Sequence, residues 1–235
     1  MKYHNEQMSD SYRIGTLLAL AGGFLDAYTF LCRGGVFANA QTGNIVLLGV
    51  NMASGRWEAA VTYFMPVAAF FFGICLAEMI KRRFRENPSM HWRQIILVVE
   101  IGVLTVVAFL PTQRDTLANI LVSFICSMQV ESFRKVHGNP YATTMCTGNL
   151  RSATEQLYQY RITRDKARLR NSLEYYGIIL FFILGAALGT LFSGWLDKFA
   201  VLLACGFLLV AFGLMFQRVS SCNGKGSRFV RRTHL

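Results

Sequence analysis

Six stretches of this chain are almost continuously apolar, at residues 14–31, 60–80, 94–110, 116–133, 174–194 and 199–217. A run of about 18 such residues forms a helix that crosses a hydrocarbon core of about 30 Å. The pattern therefore predicts an all-α polytopic membrane protein with about six transmembrane helices. The fourth run is the most polar, with Asn119, Ser123, Ser127, Gln129 and Glu131 interrupting it. Such groups are costly against lipid tails, so that face is expected to point into the bundle.

A second pattern lies over the first. Asp26 is followed sixteen residues later by Thr42-Gly43-Asn44, and Glu131 sixteen residues later by Thr147-Gly148-Asn149. An aromatic-Ala pair, Phe37-Ala38 or Tyr141-Ala142, precedes each triplet. The duplication predicts one membrane domain over residues 1–235, with repeat 1 at 14–110, repeat 2 at 116–217 and a basic cytoplasmic tail at 218–235. Each repeat reads as span, TGN segment, span, span. Three crossings per half invert the second copy, giving two inverted three-span repeats, each with a re-entrant or broken TGN segment.

Composition agrees with a bilayer. The 235 residues are 53% hydrophobic and 16% charged, and the mean hydropathy is +0.36, too apolar for an ordinary soluble domain. A net charge of +11 raises the question of nucleic acid, but the placement of the charge favours a membrane surface. With six crossings and a cytoplasmic N-terminus, only Arg33, Arg56, Arg114 and Lys198 fall outside, and the other Lys and Arg fall inside, as the positive-inside rule requires. A seventh crossing at 36–53 would split the basic clusters at 81–85 and 161–170 between the two faces. The TGN segments are therefore expected to enter and return, or to lie at the surface. The expected location is a bacterial inner membrane, multi-pass, with both termini cytoplasmic. The stretch 150–170 suits an amphipathic helix on anionic inner-leaflet lipids.

An apolar first run followed by Ala38-Asn39-Ala40 has some likeness to a secretory signal, but Glu6, Asp10 and Asp26 and the spans that follow favour a retained helix. The six cysteines lack CxxC spacing and read as packing residues. No P-loop, HExxH, nucleophile elbow or histidine cluster is present, so no enzyme, cofactor or metal is expected.

Thr-Gly-Asn suits the start of a broken helix: Gly tolerates unusual backbone angles, while Thr and Asn can satisfy freed backbone groups. A half-helix starting there would aim free N–H groups at an anion or carbonyl-bearing solute; the alternative is a cap on a surface helix. The candidate substrate-binding residues are Asp26, Thr42, Gly43, Asn44, Glu131, Thr147, Gly148 and Asn149. Arg33 can reach Asp26 only by extending back two turns, whereas Glu131 has Arg134 and Lys135 within a turn. Glu100, without a nearby base, is a candidate proton relay, or else hydrogen-bonds to Ser123 or Ser127. The small-residue patterns 73–77 and 185–189, offset by 112 rather than 105 residues, imply a seven-residue insertion near 160–170. They suit close helix packing, with 185–189 also a candidate homo-oligomer contact.

The blocks Gly22-Gly23-Phe24-Leu25-Asp26-Ala27, Gly34-Gly35-Val36-Phe37, Gln41-Thr42-Gly43-Asn44 and Leu48-Gly49 resemble the YoaK-type family of small bacterial inner-membrane proteins (domain of unknown function 1275). The resemblance covers essentially the whole chain and implies a multi-span inner-membrane protein of about this length. It carries over no catalytic or binding residue. The leading expectation is a small-solute transporter or channel-like permease. The alternative is a non-transporting scaffold that packs on partner membrane proteins through its small-residue faces and basic inner surface. The two differ in whether the motifs line a cavity or bond to one another in a dry core.

Overall fold

A computed structural model describes residues 11–84, 92–136, 139–141 and 144–215. The tail at 218–235 and the last two residues of the sixth run lie outside the described residues. The described residues form eight α-helices: α1 (Tyr12–Cys32), α2 (Gln41–Ala53), α3 (Trp57–Phe84), α4 (Trp92–Phe109), α5 (Asp115–Ser132), α6 (Cys146–Thr163), α7 (Lys166–Leu196) and α8 (Val201–Leu214). The only strands among the described residues are two short ones, β1 (Lys135–Val136) and β2 (Asn139–Pro140), paired antiparallel.

Among the described residues, four helical stretches are long and apolar enough to cross a bilayer: α1, α3, α4 and the 49 residues from Lys166 to Leu214. That last stretch is two helices, because Asp197 takes a left-handed φ of 46° at the end of α7. α5 falls outside this set because its polar residues dilute it. As expected from sequence, Asn119, Ser123, Ser127 and Gln129 are buried, so the polar face of α5 turns inward. Large apolar side chains such as Phe64, Phe71, Phe72, Ile183 and Leu191 face outward. Polar groups turned inward under an apolar exterior are the arrangement a bilayer selects.

α1 is the central strut: most of its residues from Ile14 to Thr29 are buried, whereas most of α3 is not. It runs parallel to α7, with Tyr12 meeting Gly177, Leu20 meeting Gly185, and Phe24 meeting Gly189. α3 and α5 also run parallel, with Gly73 against Phe124 and Ser127 and Ala77 clustered with Met128. Between apolar helices in lipid there is no hydrophobic drive, so close backbone approach at small residues supplies the attraction. This decides the role of the two small-residue patterns. Gly185 and Gly189 are covered by α1 of the same chain, so the expectation that this face joins two copies is corrected.

α4 packs antiparallel to α5, and Arg93 at its start donates to the Ser132 carbonyl at 2.8 Å. α8 fills the remaining side against α1 and α4. Arg33, Asp115 and Lys198 gather at one end of the bundle, where Arg33 Nη1 lies 3.1 Å from Asp115 Oδ1 and Tyr28 donates to the Lys198 carbonyl at 3.1 Å. Lys81, Glu131 and Arg134 gather at the other end.

Candidate functional site

Two glycines let the chain double back after α1. Gly34 and Gly35 take φ of 82° and 77°, a left-handed conformation that costs other residues strain. The returning loop descends along α1. Phe37 stacks on Phe30 with centroids 4.9 Å apart, the Asn39 backbone N–H donates to Asp26 Oδ1 at 2.7 Å, and the Asn39 side chain donates to the Gly22 carbonyl at 3.3 Å. Gly22 lies ten residues before the end of α1, so the loop has travelled about 15 Å back along the axis. There α2 begins, and it runs back towards the end where α3 starts.

Asn44 secures this loop. Its amide donates to the Phe37 carbonyl at 2.8 Å and to Gln41 Oε1 at 3.0 Å, and its Oδ1 accepts from the Phe37 N–H at 3.4 Å. Gly43 passes beneath the Phe37 ring, where a Cβ would stand 3.4 Å from the ring edge. Thr42 is thereby left to face away from the loop.

The second TGN segment arrives from the opposite end. After α5 the chain makes the β1–β2 pair, the Tyr141 N–H donates to the Arg134 carbonyl at 3.0 Å, and Thr144 comes against Gly22 of α1. Asn39 and Thr144 each stand three residues before the threonine of their triplet, and both touch Gly22. α6 then starts at Cys146 and packs antiparallel on α7, with Ser172 donating to the Ala153 carbonyl at 2.8 Å. The stretch expected as one surface-lying helix at 150–170 is thus two elements: α6, and the start of α7 after a left-handed turn at Arg164.

Between the two helix starts is a cavity of about 730 Å³. Asp26, Thr42, Thr147 and Gly148 line it together with Asn39, Gln41, Thr144 and Cys146. Phe30, Phe37, Phe70 and Phe182 supply apolar wall. No Lys, Arg or His lines it among the described residues. The Asn39 Oδ1 is buried without a hydrogen-bond partner, and Asn39 is 4% exposed. No group of three potential metal-ligating residues occurs among the described residues.

The other predicted residues lie elsewhere. Gly43 and Asn44 belong to the loop clamp, and buried Asn149 is not a lining residue. Glu131 sits at the end of α5, 3.1 Å from Arg134 and 4.0 Å from Lys81, so its ion pairs hold it away from the cavity. Arg33 does not reach back to Asp26; it turns to Asp115, the Tyr28 hydroxyl and the Val107 carbonyl. Glu100 is 1% exposed, and neither carboxylate oxygen has a hydrogen-bond partner. Ser127 donates to the Phe124 carbonyl instead, so the expected serine contact is not made. Asn39, Thr144 and Cys146 were missed from sequence; their fixed distance from each triplet was the available signal.

These features define a helical membrane protein with a cavity at the meeting point of two internal helix starts. The chain belongs to the family described as "Protein of unknown function (DUF1275)", which matches residues 14–214. It is 30% identical over 149 residues to the UPF0700 transmembrane protein YoaK of Bacillus subtilis (strain 168). That alignment covers 60% of this chain and 65% of the relative, so the match spans just under two thirds of the relative's length. No solved structure matches the chain.

Proposed function

We propose that this protein is a small-solute transporter or channel-like permease, built from two inverted three-span repeats, whose site lies between the two TGN helices. The observation that carries this reading is the shared cavity: Thr42 of one triplet and Thr147 of the other line the same space. α1, α3, α4, α5, α7 and α8 are the six crossings, and α2 and α6 are half-helices that start at mid-depth. Non-helical backbone at that depth is tolerated where it lines a cavity or is buried in protein.

The packing supports the repeat. α1 on α7 corresponds to α5 on α3, α2 on α3 to α6 on α7, and α1 on α8 to α5 on α4, while α4 on α8 maps onto itself. The direction of the chain follows the same rule, since both major pairs are parallel. Arg33 and Lys198 at one end, with Lys81, Arg93 and Arg134 at the other, favour an inner-membrane orientation with the latter end cytoplasmic. Of the two surfaces a scaffold would use, the small-residue faces are occupied by α1 and α5 of the same chain, which leaves that reading the basic inner surface alone.

Side-specific labelling tests the proposal. Single cysteines at Thr42 and Thr147, in a variant lacking the six native cysteines, are exposed to a membrane-impermeant thiol reagent from each side. The expected outcome is labelling of position 42 from outside and position 147 from inside. Failure of both positions to label from either side sinks the permease reading and returns the motifs to packing elements.

A further inference from the structure

Glu100 stands apart from the cavity, midway between two arginines. It lies seven residues after Arg93, which donates to the Ser132 carbonyl at one end of the bundle. It lies seven residues before Val107, whose carbonyl takes Arg33 at the other end. Each step is about 10 Å along α4. Glu100 is 1% exposed, and neither carboxylate oxygen has a hydrogen-bond partner.

The elements packed on α4 bring no counter-charge to it. α8 has no charged residue, α3 has none between Glu58 and Glu78, and α5 has none between Asp115 and Glu131. The turn at 197–200 carries Asp197 and Lys198 at the Arg33 end. The titratable groups beside Glu100 are two thiols, Cys126 of α5 and Cys205 of α8. An ionised carboxylate with neither donor nor counter-charge is far costlier there than the neutral acid. A neutral acid kept for structure would donate its proton to an acceptor, and neither oxygen is placed to do so.

The inward face of α5 extends this polarity in both directions. Asn119, Ser123, Cys126 and Gln129 recur at spacings of four, three and three residues, and all are buried. That spacing keeps them on one side of the helix. Asn119 Oδ1, Ser123 Oγ and both ends of the Gln129 amide also lack partners, and polar atoms left over by the protein are those that water satisfies. The row covers about 15 Å of helix. It starts at the Arg33 end, where the Arg33 carbonyl accepts from Asn119 at 2.6 Å, and runs towards the Arg93 end. Glu100 meets it near its middle, at Cys126, which also lies beside the Asn39 side chain and within electrostatic reach of Asp26.

We propose that Glu100 binds and releases a proton inside the bundle, reached along the polar face of α5. The step is a carboxylate taking one proton to become a carboxylic acid, and the proton returns by the same row of hydroxyl, amide and water to the aqueous side. Intramembrane acids of this kind mark proton relays. Its use to couple proton and solute movement rests on the permease reading; the exchange itself does not.

The test is infrared spectroscopy of the full chain in lipid nanodiscs, comparing wild type with Glu100→Gln. The expected result is a protonated-carboxyl band that Glu100→Gln lacks, that shifts in deuterium oxide, and that falls about tenfold or more between about pH 5 and pH 10. Ser123→Ala or Gln129→Leu, each checked for folding by its unfolding midpoint, is expected to slow deuterium exchange of that band about tenfold, the effect of one lost hydrogen-bonding step. Should Glu100→Gln fail to fold, dicyclohexylcarbodiimide, which attacks protonated carboxyls in apolar surroundings, reads the same group in the native chain by peptide mass mapping.

A band or adduct missing at every pH overturns the proposal, as does one that neither titrates nor exchanges. Sodium that removes the band at constant pH assigns the site to a metal cation and also overturns it. Unchanged exchange in both α5 variants overturns the route. If cysteines at 42 and 147 fail to label while the Glu100 band titrates, the permease reading falls and the proton site stands.

Discussion

The Asn39 backbone N–H sits 2.7 Å from the Asp26 carboxylate, thirteen residues away along the chain and on a different element. This bond joins the returning loop to the middle of α1 and fixes where α2 begins. Asp26→Ala leaves the buried N–H without an acceptor, at a cost of about 1–3 kcal/mol. Thermal unfolding in one detergent should show a lower midpoint for Asp26→Ala and a smaller drop for Asp26→Asn, whose carbonyl oxygen still accepts. Equal midpoints for wild type and Asp26→Ala would mean that the loop is held by its other contacts, those of Asn44, the Asn39 side chain and the Phe37 ring.

Arg33 closes the end of the bundle. Its guanidinium is fully buried and bonds to the Tyr28 hydroxyl at 2.9 Å, the Val107 carbonyl at 3.0 Å and Asp115 at 3.1 Å. Asp115 is 31% exposed in its side chain, so water can replace its partner, while the α4 carbonyls have no such recourse. Arg33→Ala is expected to cost about 3 kcal/mol and Asp115→Asn about 1 kcal/mol. Arg33→Lys should not restore stability, because one ammonium cannot span three separated acceptors. A double-mutant cycle on unfolding midpoints separates the ion pair from the carbonyl contacts.

The four helical stretches long enough to cross a bilayer were legible because each is a long apolar run, and the inward face of α5 because its polar residues recur at helical spacing. The TGN segments were legible through duplication. Which residue of each triplet faces the cavity was not, since Thr and Asn both hydrogen-bond, and only the position of Phe37 shows that Asn44 is turned to the loop. Glu131 was misplaced because matching positions imply matching surroundings, and here Lys81 from α3 changes them. Arg33 found a partner 82 residues away, beyond any local spacing rule.

Glycine substitutions should separate packed faces from open ones. A Cβ on Gly23 meets the Phe182 carbonyl and one on Gly185 meets the Leu20 carbonyl, both backbone atoms that cannot rotate aside. Gly23→Ala and Gly185→Val are each expected to destabilise by about 2 kcal/mol or more. Gly194 and Gly206 have nothing within 4 Å of an added Cβ, and their alanine variants should gain about 0.5–1 kcal/mol from helix propensity. Equal losses at all four positions would show that the α1–α7 contact is looser than its geometry.

Thr42 and Asn44 are two residues apart but should fail in different ways. Asn44 holds the Phe37 backbone through both its donor and its acceptor, so Asn44→Ala should cost about 1–2 kcal/mol and lower the unfolding midpoint without solute. Thr42 lines the cavity and has no side-chain role in the loop clamp, so Thr42→Ala should leave that midpoint within about 0.5 kcal/mol of wild type. A solute that stabilises the protein should be bound more weakly by Thr42→Ala and Thr147→Ala, whereas the Asn44→Ala protein that remains folded should bind it with affinity reduced only as far as the loop has loosened. The measurement is a thermal-shift titration for each variant, read as midpoint without solute and concentration for half-maximal stabilisation. The reverse pattern, with Thr42→Ala unfolding early and Asn44→Ala losing only binding, would assign the contact to Asn44 and the structural role to the threonine.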